Sequence, residues 1–109
     1  MKKFVKATDI PVETVAPGMT RQIMGYDSDL MLVKVNFEKG AVGARHKHVH
    51  QQVSFVVSGS FEVDIEGTKQ VLQAGDSFII PSNAMHGALC LEQGVLIDTF
   101  SPMREDFLM

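Results

Sequence analysis

Apolar residues in this chain recur at every second position and stop, about every ten residues, at glycine, proline, asparagine or aspartate. Phe61, Val63 and Ile65 alternate with Glu62, Asp64 and Glu66, while Met31, Val33, Val35 and Phe37 share one face with Lys34 and Asn36 on the other. Side chains two apart on a strand point the same way, so each such run is a strand covered on one side. No long segment carries helical period. Many short strands at turn spacing predict an all-β fold, a sandwich or small barrel. The expected strands are 20–25, 30–37, 53–57, 61–66, 69–72, 77–80, 85–91 and 95–100. Tyr26-Asp27-Ser28-Asp29, Glu38-Lys39-Gly40, Ser58-Gly59-Ser60, Gly67-Thr68, Ala74-Gly75-Asp76 and Glu92-Gln93-Gly94 read as the turns between them, Ser58-Gly59-Ser60 as a hairpin. Pro11 and Pro17-Gly18 make residues 1–19 an extended arm with one short edge strand. Ser101, with Pro102 after it and Glu105 and Asp106 nearby, suits the start of a terminal helical turn.

A chain of 109 residues is one domain, 1–109, able to bury roughly 60–70% of its unfolded surface and to stand without disulfides or a structural metal. Any bound metal is then functional. A net charge of −3 and the lack of a basic run argue against nucleic acid as a partner. A single cysteine, Cys90, excludes an intramolecular disulfide and fits a reducing compartment. Met1-Lys2-Lys3 opens like a signal peptide, but Lys6 and Asp9 interrupt any apolar run of the needed length, and no stretch is apolar enough to span a membrane. A cytoplasmic location is expected.

Three imidazoles and two carboxamides crowd into His46-Lys47-His48-Val49-His50-Gln51-Gln52. On an extended segment His46 and His48 share a face and can chelate one ion. A polar, histidine-rich loop without a ligand fits the local composition equally well. Further on, Asp98 and Phe100 share a strand face. An aspartate between Ile97 and Thr99 needs a partner or a task; a satisfied structural carboxylate and a plain core phenylalanine remain the bland alternatives. Arg104 taken alone is a surface charge.

Spacing resolves part of this. Gly40, five residues, His46-x-His48, three residues, Gln52, six residues and Gly59 resemble the first motif of the cupins, with Gln52 where glutamate is commonest. Gly75, five residues, Pro81-x-Asn83, two residues and His86 resemble the second. Asn83 stands for the usual glycine, a residue type that tolerates a left-handed turn, and Cys90 stands where asparagine often closes the motif. The resemblance implies a cupin double-stranded β-helix, a small jelly-roll barrel of six to eight or more strands, with a short C-terminal helical turn. It implies a homodimer, and one divalent ion held inside one mouth by His46, His48, Gln52 and His86. Gln52 lies about 13 Å beyond His48 on a flat strand, so the strand must bend or bulge to bring it in. His50 shares the parity of His48 and is the reserve ligand. All four ligands are neutral, so the ion keeps its full charge and favours an anionic or developing-anionic oxygen. Ni, Zn, Fe, Mn and Cu all suit such donors. Imidazole ligation predicts metal loss below pH ~6.

The segment Asp98-x-Phe100-Ser101-Pro102-x-Arg104-Glu105-Asp106-Phe107-Leu108, with His-x-His-x-His-x-Gln upstream, is similar to the KdgF pectin-degradation family of cupins over about 17–108. Val49, where that family often has proline, and Gln51, where it often has glutamate, depart from it. The resemblance implies action on 4,5-unsaturated monouronates from pectin or alginate, opened to the linear keto form, with Asp98, Phe100 and Arg104 as functional residues. Arg104 would clamp the substrate carboxylate in bidentate fashion, Asp98 would move a proton, and Phe100 would pack on the sugar. A small anionic sugar is the expected partner and no redox cofactor is needed. Two other classes stay open: a cupin dioxygenase of a small aromatic substrate and a non-catalytic sugar-acid-binding cupin. Met24, Met31 and Met85 read as core filler and Cys90 as a buried small residue. Arg21, Tyr26 and Lys34 are candidates for the cavity mouth that nothing local decides.

Overall fold

A computed structural model of the chain describes residues 3–109; Met1 and Lys2, the first residues of the expected 1–19 arm and of the signal-like start, lie outside the described residues. After a 3₁₀ turn at Ala7–Asp9 come eight strands: β1 (Glu13–Ala16), β2 (Met19–Tyr26), β3 (Met31–Phe37), β4 (Val42–His46), β5 (Gln51–Ile65), β6 (Thr68–Gln73), β7 (Ser77–Ile80) and β8 (His86–Ser101). A second 3₁₀ turn occupies Glu105–Leu108. All pairings are antiparallel, in the order β1-β2-β3-β8-β5-β6, with β4 on β8 and β7 on β5. Among the described residues no helix is long and apolar enough to cross a membrane.

Two long strands build both layers. The first part of β5, from Gln51 to Val56, pairs with Leu96–Ser101 of β8 and with β7; the later part, from Phe61 to Ile65, pairs with His86–Cys90 and with β6. β3 lies against the later part of β8 and β4 against its start. Ser58-Gly59-Ser60 and Glu92-Gln93-Gly94 are therefore bulged waists of continuous strands, not the turns expected from their composition. The physical reason is close backbone approach. A Cβ on Gly59, which sits at φ +83°, would come within 2.6 Å of Gln93 O, Glu92 O and Gly94 Cα, and one on Gly94 would overlap Ser58 O. Only glycine lets the two strands cross there.

Alternation in β3 is strict, with Met31, Val33, Val35 and Phe37 buried. They meet Val56, Phe61 and Val63 of β5 and Cys90, Leu96 and Phe100 of β8 in one core, where Phe37 and Phe61 pack edge to face at 5.1 Å. Glu66 and Gly67 both take positive φ, 51° and 88°, so the hairpin turn falls one residue before the expected Gly67-Thr68. Gln22 is buried on β2 and donates from its amide nitrogen to Ala7 O and Ile10 O, each at 3.0 Å, which pins the arm across the outer face. Asn83 takes φ 65°, the left-handed conformation its residue type tolerates.

Two smaller expectations fail. Met85 is 37% exposed rather than core, because the Pro81–Asn83 break leaves it on a rim. Ser101 is the last residue of β8 and caps nothing; the helical turn begins at Glu105 after an extended crossing that buries Arg104 and packs Met103 and Phe107 on the core. Tertiary burial overrides the local capping signal.

Candidate metal centre

His46 ends β4 and His86 opens β8, and the register places them directly opposite each other, their rings 4.4 Å apart. β4 stops at His46, a loop carries Lys47 to His50, and β5 starts at Gln51. The histidine stretch is thus a strand end, a reversal and a strand start, which is how Gln52 returns to the same site; the single bent strand expected above does not form. His48 hangs from that loop with its ring 4.9 Å from that of His86. One ligand atom from each of His46, His48 and His86 lies within 4.8 Å of the others.

Hydrogen bonds fix which nitrogen each ring offers. Nδ1 of His46 lies 2.8 Å from Ala44 O, that of His48 2.8 Å from His50 O, and that of His86 2.9 Å from Ala84 O. A carbonyl oxygen only accepts, so Nδ1 carries the proton in each ring and a neutral ring keeps a bare lone pair on Nε2. His48 Nε2 then stands 3.0 Å from Gln52 Oε1. Both atoms are acceptors, and two lone pairs converge where only a positive centre satisfies them. Three imidazole nitrogens and a carboxamide oxygen fit a divalent transition ion. Burial pushes the His86 imidazole down to about 4 and lowers that of His48 as well, so protons compete poorly for both.

His50, the reserve ligand, is buried outside this cluster; its Nδ1 has no partner among the described residues and its carbonyl orients His48 instead.

A cavity of about 180 Å³ opens beside the imidazoles, and His46, Gln52, His86, Asp98, Phe100 and Arg104 all line it. Gln52 Nε2 donates to Ser54 Oγ at 2.9 Å, and Ser54 Oγ donates to Asp98 Oδ1 at 2.6 Å. Oδ2 of Asp98 makes no hydrogen bond among the described residues. Burial pushes the Asp98 carboxyl up to about 6, with the Ser54 hydrogen bond and the Arg104 charge pulling the other way. Phe100 is buried, its ring 5.7 Å from those of His48 and Phe107.

Arg104 differs from expectation in one respect. Its Nε and Nη2 are already paired with Asp106 Oδ1 and Oδ2, at 3.0 and 2.8 Å, so that fork is not free to clamp a substrate. The neighbouring guanidinium holds the Asp106 carboxyl below the usual range. Arg104 Cζ lies 4.2 Å from the Phe107 ring centre and 5.1 Å from that of Phe100. Arg21 stacks on Phe107 at 3.9 Å, reaches Glu13 only at 3.5 Å, and lines the cavity with a buried Nε lacking a partner among the described residues. Tyr26 and Lys34 do not line it. Sequence reasoning missed Ser54, Asp106 and Phe107. Ser54 was accessible by parity, two residues from Gln52 on one strand face, and Phe107 by its three-residue step from Arg104 in a short helical turn.

An eight-stranded antiparallel fold with three imidazoles and a carboxamide at one mouth defines a cupin, and the cupin-domain family matches residues 33–98. Within the cupins the chain belongs to the KdgF family: it is 48% identical over 110 residues to the pectin degradation protein KdgF of Dickeya dadantii (strain 3937), covering 99% of this chain and 100% of that protein. Among solved structures, an RmlC-like cupin from Shewanella frigidimarina NCIMB 400 superposes with a TM-score of 0.94 at 48% identity, over 98% of this chain and 96% of that one. KdgF from a Halomonas species superposes with a TM-score of 0.93 at 43% identity, over 98% and 99%.

Proposed function

We propose that this chain opens the ring of 4,5-unsaturated monouronates in pectin and alginate degradation, giving linear 5-keto-4-deoxyuronate by ring opening and tautomerisation. The observation that carries the reading is a single cavity lined by imidazoles of a neutral donor set, by Asp98 and by two guanidiniums, a combination suited to an anionic sugar. A divalent ion, Ni, Zn, Fe, Mn or Cu, bound by His46, His48, Gln52 and His86 supplies Lewis-acid polarisation there. The remaining work falls to the chain. The unpaired edge of Arg104, with Arg21 behind it, binds the substrate carboxylate. Phe100 packs on the sugar and holds water away. Asp98 Oδ2 takes the proton from the C1 hydroxyl as the ring opens and delivers one to C4 of the enol, so the reaction is a net isomerisation.

The test is direct. Supplied with 4,5-unsaturated galacturonate, the metal-loaded protein is expected to speed loss of the double-bond ultraviolet absorbance, with the keto product visible by NMR and no oxygen consumed. Absence of acceleration with each of the five metals overturns the reading, and oxygen uptake on a small aromatic acid instead points to a dioxygenase. The reading includes a homodimer, supported by an apolar outer sheet face, and a reducing, cytoplasmic setting, which suits the buried free thiol of Cys90.

A further inference from the structure

We propose that Ser54 is a positioning residue that sets the polarity of the metal centre, its hydroxyl obliging the Gln52 amide to turn its oxygen toward the imidazoles. This deepens the reading above and rests on it for the ligand role of Gln52. Ser54 is fully buried, shares the inward face of β5 with Gln52, and lies directly across from Asp98 on β8. A serine hydroxyl has one proton. Asp98 Oδ1, at 2.6 Å, takes it in a short, strong bond. What remains on Ser54 Oγ is acceptor capacity, and the group at 2.9 Å facing it must therefore be the amide NH₂ of Gln52. With the nitrogen held there, Oε1 has only the opposite side, 3.0 Å from the bare Nε2 of His48.

A glutamine amide is nearly symmetric in shape, so packing alone does not choose between its two ends. Turned over, Gln52 would present N–H to His48 Nε2, make a good hydrogen bond, and close the centre to a cation. The order Asp98–Ser54–Gln52 excludes that arrangement, because the turned amide would put oxygen against an oxygen whose proton is already committed. The glutamate commonest at this place in the cupin motif needs no such device, since both its oxygens accept. A glutamine ligand requires something behind it to keep its oxygen forward, and Ser54 is the residue in contact that does so.

Affinity for Zn²⁺ or Ni²⁺, measured on the full chain by competition with a chromophoric chelator, tests this without substrate. Ser54→Thr and Ser54→Val have the same shape and differ only in the hydroxyl, so any strain from the added methyl is common to both. The Thr variant is expected within about 3-fold of the parent and the Val variant weaker by on the order of 10–100-fold, the usual range for residues that orient a ligand. In a Gln52→Glu background, where no amide needs orienting, the same pair should differ by less than about 3-fold. Equal affinities for the Thr and Val variants in the parent background, or an equal gap in both backgrounds, overturn the proposal. The outcome is separable from the uronate reading: a Thr–Val gap in a protein inert toward uronates overturns only the reaction.

Discussion

At the scale of single residues, Asp98 and His86 pull the metal-free protein in opposite directions. The folded protein raises Asp98 from 3.8 to about 6, so ionising it costs stability, and that cost grows as pH rises through this window. It lowers His86 from 6.5 to about 4, so the native state binds fewer protons than the unfolded chain and stability is lost as pH falls through that window. Between about 4 and 6 the two slopes oppose each other. Replacing Asp98 with asparagine removes one of them. In chelator, Asp98→Asn is expected to gain on the order of 1–3 kcal/mol over the parent at pH 7, with allowance for the part of Asp98 that opens into the cavity, and to lose that advantage toward pH 4. Urea unfolding across pH 4–8 checks this, and parallel pH profiles for the two proteins would contradict it. With metal supplied at saturation, the same variant should lose uronate turnover by 10²-fold or more, as removal of a proton carrier does. Burial also modifies the expectation of metal loss below pH ~6: His48 and His86 resist protonation, so the fall in affinity should extend further toward pH 4.

At the scale of elements, glycine decides whether a strand turns or crosses. Gly40 and Gly59 have almost the same left-handed backbone, φ 86° and 83°, but nothing lies within 4 Å of a Cβ at Gly40, whereas three backbone atoms lie at 2.6 Å from one at Gly59. Gly40→Ala should cost about 1–2 kcal/mol, the backbone penalty alone. Gly59→Ala should cost about 3–5 kcal/mol once overpacking against immovable backbone is added. Thermal melts of the two variants separate them, and similar losses would mean that the waist is looser than the register implies. The same waist marks the boundary of what the sequence tells. Period-2 runs and their breakers locate β3 and β7 to within a residue, because each is a local pattern. Ser-Gly-Ser and Gln-Gly have one composition in a hairpin and in a bulge, and only the pairing of Ser58 with Val95 and Ser60 with Glu92 distinguishes them. The site divides in the same way. His46, His48 and His86 are legible through spacing. The cross-strand contact of Ser54 with Asp98, and the Asp106 and Phe107 partners of Arg104, depend on elements that meet only in the folded chain.

At the scale of the whole molecule, one face is left uncovered among the described residues. Leu32, Thr99, Val53 and Ile79 form a row across β3, β8, β5 and β7, with Ile97 and Phe55 in the next row and Val57 beyond. Val53, Phe55 and Val57 are each nearly half exposed and Ile79 is 66% exposed, on a strand face that would ordinarily be polar in a monomer. The inner face of the same strands already holds the core and the cavity, so these side chains serve neither. Gln22, which pins the arm through Ala7 O and Ile10 O, pairs with Lys34 and so stands at the edge of the Ile97–Phe55 row; Phe4 and Val12 of the arm are themselves exposed. A face with apolar residues at its centre and Lys34 in the Ile97–Phe55 row at its edge is suited to meet its own copy about a two-fold axis. The centre of the patch should carry most of the energy. If a homodimer forms through this face, Phe55→Glu would bury a charge at the centre of the patch, and the variant is expected to sediment as a monomer where the parent sediments as a dimer. Of the proposed ligands, Gln52 has the opposite parity to Phe55 on β5, and His46, His48 and His86 lie off this face on β4, its following loop and the start of β8, so chelator-competition affinity should be unchanged in the monomer. A parent protein that sediments as a monomer at all concentrations would rule the pairing out, and a Phe55→Glu variant that remains dimeric would move the interface elsewhere.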